Sequence, residues 1–235
     1  MPFRSPAQRA VTPQHRGRFG DFDVLDSVDK WDDVTAGVVL ARLALPGELA
    51  FFTPDEVGVA APMLDLLLAQ DRDPRVPVLA LIDQRLAVGE TDGWHYDDMP
   101  EDAQAWRATL AALDEDARAQ HNSRGFARLV PSEQVPLLQL VQDRAADGGR
   151  WHDWPAKQVW SLWTRYACTA FYSHPWAWNE IGFPGPAYPR GYLNAGVGSR
   201  ERWEVADQVD RDPVSFAQRV DAAQAEHGRL GGATE

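Results

Sequence analysis

Residues 155–171, PAKQVWSLWTRYACTAF, decide the fold of this chain. Their large apolar side chains recur at helical spacing and would cover well over half of the circumference of a helix. A helix with so wide an apolar surface is buried among other elements. The segment therefore predicts a central core helix, which we expect to end at His174-Pro175, where helical periodicity stops.

Further helix signals lie on the amino-terminal side of this segment. The clearest is the run Phe51-Phe52-Thr53-Pro54-Asp55-Glu56, in which Thr53 and Glu56 can form a capping box and Pro54 suits the first turn. Apolar periodicity predicts other helices near 38–45, 78–86 and 101–119 and from Pro131 onward. Residues 21–33 have a turn-like composition, the loop from Gly89 to Met99 lacks a helical period, and strand-like alternation is scarce.

Composition narrows the classes of protein. The chain has 235 residues, 44% of them hydrophobic, which is enough to bury a core. Its net charge of -12 argues against nucleic-acid binding, which needs clustered Lys and Arg. The single cysteine, Cys168, excludes an intrachain disulfide and a site of several thiolates, and its place in the apolar helix predicts a buried, unreactive thiol.

The ends of the chain suggest its organisation and location. Residues 1–20 predict a flexible lead-in, residues 21–192 a helical domain, and residues 199–235 a charged helix and tail. Neither a signal-peptide core, a twin-arginine pair nor an apolar run of about twenty residues is present. We expect a cytoplasmic protein without direct membrane insertion, associated with a membrane or the periplasm only through a partner.

The most distinctive text follows the central helix, in the arm formed by residues 172–198. Its aromatic residues are too dense for an ordinary solvent loop, and its prolines would limit the entropy lost on docking. Trp, Tyr and Arg are enriched at the energetic centres of interfaces. We predict a partner interface made of Tyr172, His174, Trp176, Trp178, Asn179, Glu180, Phe183, Tyr188, Arg190 and Tyr192. The alternative is that the arm packs on its own domain, and both interpretations can hold together.

The arm carries a family resemblance. The runs Tyr172-Ser173-His174-Pro175, Trp178-Asn179-Glu180-Ile181-Gly182-Phe183 and Gly185-Pro186-Ala187-Tyr188-Pro189-Arg190-Gly191-Tyr192 resemble the carboxyl-terminal signature of the gluconate 2-dehydrogenase subunit 3 family. The run 51–56 resembles its opening helix, and 96–100, 105–107 and 131–138 resemble its later parts. The resemblance covers roughly Asp21 to Tyr192, and the long Pro- and Trp-rich string makes it specific.

The resemblance implies a small subunit that accompanies a larger, FAD-containing dehydrogenase of the glucose-methanol-choline type, acting on gluconate, sugars or polyols. Some relatives also work with a cytochrome subunit. Many relatives carry a twin-arginine export signal, which this sequence lacks. The implied role is therefore a subunit of an FAD-dependent oxidoreductase complex on CH–OH donors, not catalytic alone, that stabilises or matures its partner, with FAD held in that partner.

Few residues of this chain suggest chemistry of its own. Gly196-Val197-Gly198 lacks the third glycine and the preceding strand of a dinucleotide site. His95 with Asp97 and Asp98, and His152 with Asp153, are too sparse for a metal site and predict solvated or capping roles. The sequence thus predicts a mainly α protein, an irregular helical bundle with a long extended Pro- and aromatic-rich carboxyl-terminal arm, without catalytic, cofactor or metal residues of its own.

Two other functions stay open at this stage. A stand-alone helical enzyme would use His174 and Glu180 as acid and base, with Tyr188 as an orienting group. Against it, His174 before Pro175 is more simply a histidine at a helix end, satisfied by a backbone carbonyl. A general folding escort with several clients is the second alternative.

Overall fold

The computed structural model describes residues 10–14, 22–44 and 47–187, and this part of the chain is mainly α-helical, as predicted. In chain order its elements are a 3-10 helix Val24–Lys30, α1 Asp33–Ala41, α2 Pro54–Leu67, α3 Val78–Ala87, α4 Asp102–Gln120, a 3-10 helix Phe126–Arg128, α5 Pro131–Ala146, β1 Arg150–Trp151, β2 Trp154–Pro155, α6 Ala156–Tyr172 and α7 Pro175–Ile181. The two short strands form an antiparallel hairpin that leads into α6.

Helix α6 is central, as the sequence predicted. It packs against α3, α4, α5 and α7, and its apolar side chains are part of the main buried cluster. Trp163 is fully buried and donates its indole N–H to the Thr109 hydroxyl of α4 at 3.0 Å. Its ring meets that of Trp151 edge to face at 5.4 Å. A buried indole therefore keeps a hydrogen-bond partner while contributing a large apolar area to the core.

The predicted capping box at the start of α2 is confirmed. The Thr53 hydroxyl accepts the Glu56 N–H at 3.3 Å, and the Glu56 carboxylate accepts the Thr53 N–H at 2.8 Å. The approach to this helix is fixed by Asp83 of α3, which is buried and accepts backbone N–H groups from the consecutive residues 50, 51 and 52 at 2.7, 3.0 and 2.8 Å. These three bonds compensate for removing the carboxylate from water.

The first helices differ from their prediction. Helix α1 begins at Asp33, well before the apolar cluster near 38–45, because the Asp32 carboxylate accepts the Thr35 N–H at 2.7 Å and caps the helix there. The stretch predicted as turn-like contains the 3-10 helix Val24–Lys30, whose first turn is capped in the same way by Asp23. Both helix starts therefore follow the capping residues Asp23 and Asp32, and the apolar periodicity alone did not predict them.

The arm also differs from its prediction between Pro175 and Ile181. This part is helix α7, whereas the sequence predicted that helical structure stops at His174-Pro175. Proline ends a helix that precedes it but fits the first turn of a new helix, and His174 supplies the cap. Gly182 ends α7 in the left-handed region with φ 69°. Residues 183–187 have no regular structure, and the rest of the arm lies outside the described residues.

A second, smaller apolar cluster joins the two ends of the described chain. It contains the buried side chains of Val24, Trp31, Val39 and Trp178, so the segment 22–44 packs on α7. The Trp31 indole donates to the Pro186 carbonyl at 2.9 Å. This cluster places the carboxyl-terminal signature against the amino-terminal segment.

The predicted division of the chain stays a prediction. Of the lead-in 1–20, residues 10–14 are described, and they contact the helices: Gln14 donates its amide to the Leu68 carbonyl at 2.8 Å. The predicted tail 199–235 lies outside the described residues. Among the helices that the structure describes, none combines the length and apolar composition needed to cross a membrane.

Candidate functional site

The residues predicted to contact a partner fall into three groups. The side chains of His174, Trp178, Asn179 and Glu180 are buried in this chain, with Trp178 6% and Asn179 1% exposed. Tyr172 and Phe183 are 44% and 40% exposed, and Trp176 is half-buried. Tyr188, Arg190 and Tyr192 lie outside the described residues. Within the described arm, only the exposed side chains are available to another molecule without a rearrangement.

His174 is the cap of α7. Its Nδ1 accepts the Trp176 N–H at 3.2 Å, and the two rings meet edge to face at 4.8 Å. Burial lowers the pKa of His174 to about 4, although a hydrogen bond to the backbone of Arg42 acts in the opposite direction. The imidazole is therefore neutral at neutral pH, and the expected contact with a backbone group is present together with the cap.

Polar atoms of the signature tie α7 to the amino-terminal segment. The Asn179 amide oxygen accepts the Val24 N–H at 2.8 Å, and its nitrogen donates to the Val11 carbonyl at 3.1 Å. The Trp178 indole donates to the Tyr172 carbonyl at 2.6 Å, across the junction between α6 and α7. These side chains satisfy backbone groups of their own chain, which is a folding role.

Arg42 completes this junction and was not found from the sequence. Its guanidinium donates to the Ser173 carbonyl at 2.9 Å and lies 5.8 Å from the centre of the Trp178 ring. Arg42 follows α1, whereas its contacts lie more than a hundred residues later. A pairing over such a distance leaves no local pattern, so only the tertiary structure could reveal it.

A cluster of charges lies where α3 and α6 meet the loop 88–101. Asp92 contacts Arg165 and accepts from Arg85 at 2.9 Å. On the inner side, buried Asp102 accepts from the Tyr166 hydroxyl at 2.6 Å. Burial, reinforced by this hydrogen bond, raises the pKa of Tyr166 and keeps its hydroxyl protonated. Arg165 also lies 3.6 Å from Asp102, so Arg85 and Arg165 balance the charges of Asp92 in the loop and of Asp102 at the start of α4.

A groove of about 550 Å³ separates the first turn of α2 from α4. Four of its charged side chains form two ion pairs: Arg107 binds Glu56 at 2.6 Å, and Arg118 binds Asp114 at 2.7 Å. Burial acts to raise the pKa of Glu56. The hydrogen bonds from the Thr53 N–H and from Arg107 together lower it by more, so the pKa lies below its usual value. These two ion pairs account for the charges of Glu56, Arg107, Asp114 and Arg118 in the groove.

The other residues considered for chemistry have simple environments. His152 lies 3.0 Å from Asp116 through Nε2, and His95 lies 3.7 Å from Glu101 through Nδ1. Among the described residues, no group of three or more His, Cys, Asp or Glu side chains is arranged to hold a metal ion. Cys168 was predicted to be buried but is exposed, because it lies on the face of α6 turned away from the core; partial burial nonetheless raises its pKa.

The fold and these contacts define a mainly α-helical protein in which an aromatic carboxyl-terminal motif closes onto the amino-terminal segment. The family model described as gluconate 2-dehydrogenase subunit 3 matches residues 54–185, from the first turn of α2 to beyond α7. The match covers more than half of the chain, so the protein belongs to this family, as the resemblance predicted. No curated protein and no solved structure matches the chain.

Proposed function

We propose that this chain is a non-catalytic accessory subunit that binds an FAD-dependent dehydrogenase of the glucose-methanol-choline type and stabilises or matures it. The main support for this proposal is the family match over residues 54–185, because the family is described as one subunit of gluconate 2-dehydrogenase. The substrate of the complex is gluconate, a sugar or a polyol. In this proposal FAD is held by the large subunit, and a cytochrome subunit is a further possible partner.

The use of the signature residues supports an accessory role. His174 caps α7, and Asn179 binds two backbone groups of the amino-terminal segment. A general acid or base has to reach its substrate within hydrogen-bond distance, whereas His174 is 2% exposed and its Nδ1 already accepts a backbone N–H. This geometry disfavours the stand-alone enzyme in which His174 and Glu180 act as acid and base.

We also propose that the exposed side chains of the arm contact the large subunit. In the described part these are Tyr172 and Phe183, together with the half-buried Trp176. Phe183 packs edge to face on Trp178 at 5.5 Å, so its position is set by the small cluster beneath it. A positioned aromatic ring loses little conformational entropy on binding.

Co-purification tests this function. A tagged copy of the chain should retain an untagged flavoprotein dehydrogenase when the two are produced together, and the retained protein should contain FAD. The same dehydrogenase produced without the chain should give less folded, flavin-loaded enzyme. Failure to retain any flavoprotein would contradict the proposal. Equal retention of unrelated unfolded proteins would instead support the folding escort.

A further inference from the structure

The loop between α3 and α4, residues 88–101, exposes a pair of aromatic rings. Trp94 and Tyr96 are 48% and 37% exposed, and their rings meet edge to face at 5.1 Å. Large aromatic side chains are usually buried, because leaving them in water forgoes the favourable burial of their apolar area. Exposed Trp and Tyr side chains are typical of the energetic centre of a protein interface.

Two arginines on neighbouring helices hold this pair of rings in place. The Arg165 guanidinium of α6 lies 4.9 Å from the centre of the Trp94 ring, and it also contacts Asp92, two residues earlier. Arg85 of α3 binds the same Asp92 carboxylate at 2.9 Å. The side chains of Arg85 and Arg165 are only 19% and 21% exposed, so the loop rests on two largely buried cations. A ring fixed in this way is organised before a partner arrives.

Acidic side chains surround the pair. Asp97, Asp98 and Glu101 are exposed, and the segment 89–101 contains no Lys or Arg. Glu90 is exposed as well, but its carboxylate lies 3.4 Å from Arg85. Asp92 also belongs to this segment, but its charge is balanced by the arginines beneath. The surface therefore has an aromatic centre and a negative rim, which is complementary to an apolar pocket bordered by Lys and Arg.

We propose that residues 89–101, the aromatic loop, are a docking surface for the large flavoprotein subunit, which presents a basic surface with an apolar pocket at this contact. The inference rests on the proposed function, because that function supplies the partner. It adds a second contact to the exposed rings of the arm. Trp94 and Tyr96 form the energetic centre of this contact, and the acidic rim steers the encounter.

The test measures the affinity of the purified chain for its flavoprotein partner. The double variant Trp94→Ala/Tyr96→Ala should weaken binding by about tenfold or more, the usual effect of losing an interface centre. The matched control is Val135→Ala on α5, where an exposed apolar side chain is shortened and the affinity should not change.

A charge variant separates loss of contact from loss of fold. Asp97→Lys alters one exposed side chain and leaves both rings in place, so its melting temperature should equal that of the wild type. It should slow association, and the difference from the wild type should shrink as salt is added. If both loop variants bound the flavoprotein with the affinity and association rate of the wild-type chain, the inference alone would be overturned. A wild-type chain that binds no flavoprotein would overturn the proposed function and the inference together.

Discussion

Single buried polar side chains determine where distant segments of this chain meet. Asp83 binds three consecutive backbone N–H groups ahead of α2. Asn179 binds the Val24 N–H and the Val11 carbonyl near the amino terminus. Leaving any of these groups unpaired in the interior would cost about 1–3 kcal/mol. The same reasoning applies to His174, because burial removes its ring from water and so disfavours the charged form.

Stability should therefore depend on pH through His174. Its pKa is about 4 in the folded chain against an ordinary value of 6.5, so between these values the unfolded chain binds a proton that the folded chain does not. The free energy of unfolding should fall as the pH is lowered from about 7 to about 4, by on the order of 3 kcal/mol. Urea unfolding at a series of pH values measures this change.

The variant His174→Asn isolates the contribution of this side chain. Asparagine keeps an oxygen that can cap α7 but cannot be protonated, so the variant should show a shallower loss of stability on acidification. His95→Asn, in the aromatic loop, is the control and should follow the wild type. Identical pH profiles for His174→Asn and the wild type would refute the assignment.

At the scale of elements, α7 and the amino-terminal segment support each other. The backbone at Gly185 approaches the Trp31 ring so closely that a Cβ there would lie 2.5 Å from it. Gly185 also has φ +76°, a conformation that residues with a side chain rarely adopt. Glycine at this position therefore allows the chain after α7 to cover Trp31.

We expect Gly185→Ala to loosen the 3-10 helix Val24–Lys30. Overpacking typically costs about 1–3 kcal/mol, so the rate of tryptic cleavage after Lys30 should rise roughly tenfold. Gly148→Ala is a matched control, because Gly148 has φ +70° but no atom within 4 Å of the added Cβ. Equal cleavage rates in the two variants would show that close packing on Trp31 is unimportant.

On the scale of the molecule, the described chain contains two apolar clusters of unequal size. The main cluster is built around α6 and draws side chains from α2 to α7, whereas the small cluster has four buried members: Val24, Trp31, Val39 and Trp178. The free energy gained by burying apolar surface grows with the area buried. The small cluster should therefore open more readily than the main one.

Hydrogen exchange should reveal this difference. Amides of α1 and of Val24–Lys30 should exchange faster than those of α4 and α6, because the former require only the small cluster to open. Peptide-level mass spectrometry of the wild-type chain measures both regions in one experiment. Equal protection of the two regions would mean that the clusters unfold as a single cooperative unit.

The sequence by itself determined the helical class, the central position of α6 and the capping box of α2. These features depend on neighbours within a few turns: apolar periodicity for α6, and the pair Thr53 and Glu56 for α2. It also determined the family, because the aromatic string after α6 is specific. All of this information is local in the chain.

Only the tertiary structure decided how the signature is used. A short helix such as α7 is stabilised mainly by packing, and its partners Val24, Trp31 and Arg42 lie more than 130 residues earlier in the chain. The same distance hid the burial of His174 and Asn179, which the sequence offered as interface residues. The fixed position of the aromatic loop also depends on the tertiary structure, because Arg85 and Arg165 come from two different helices and both contact Asp92.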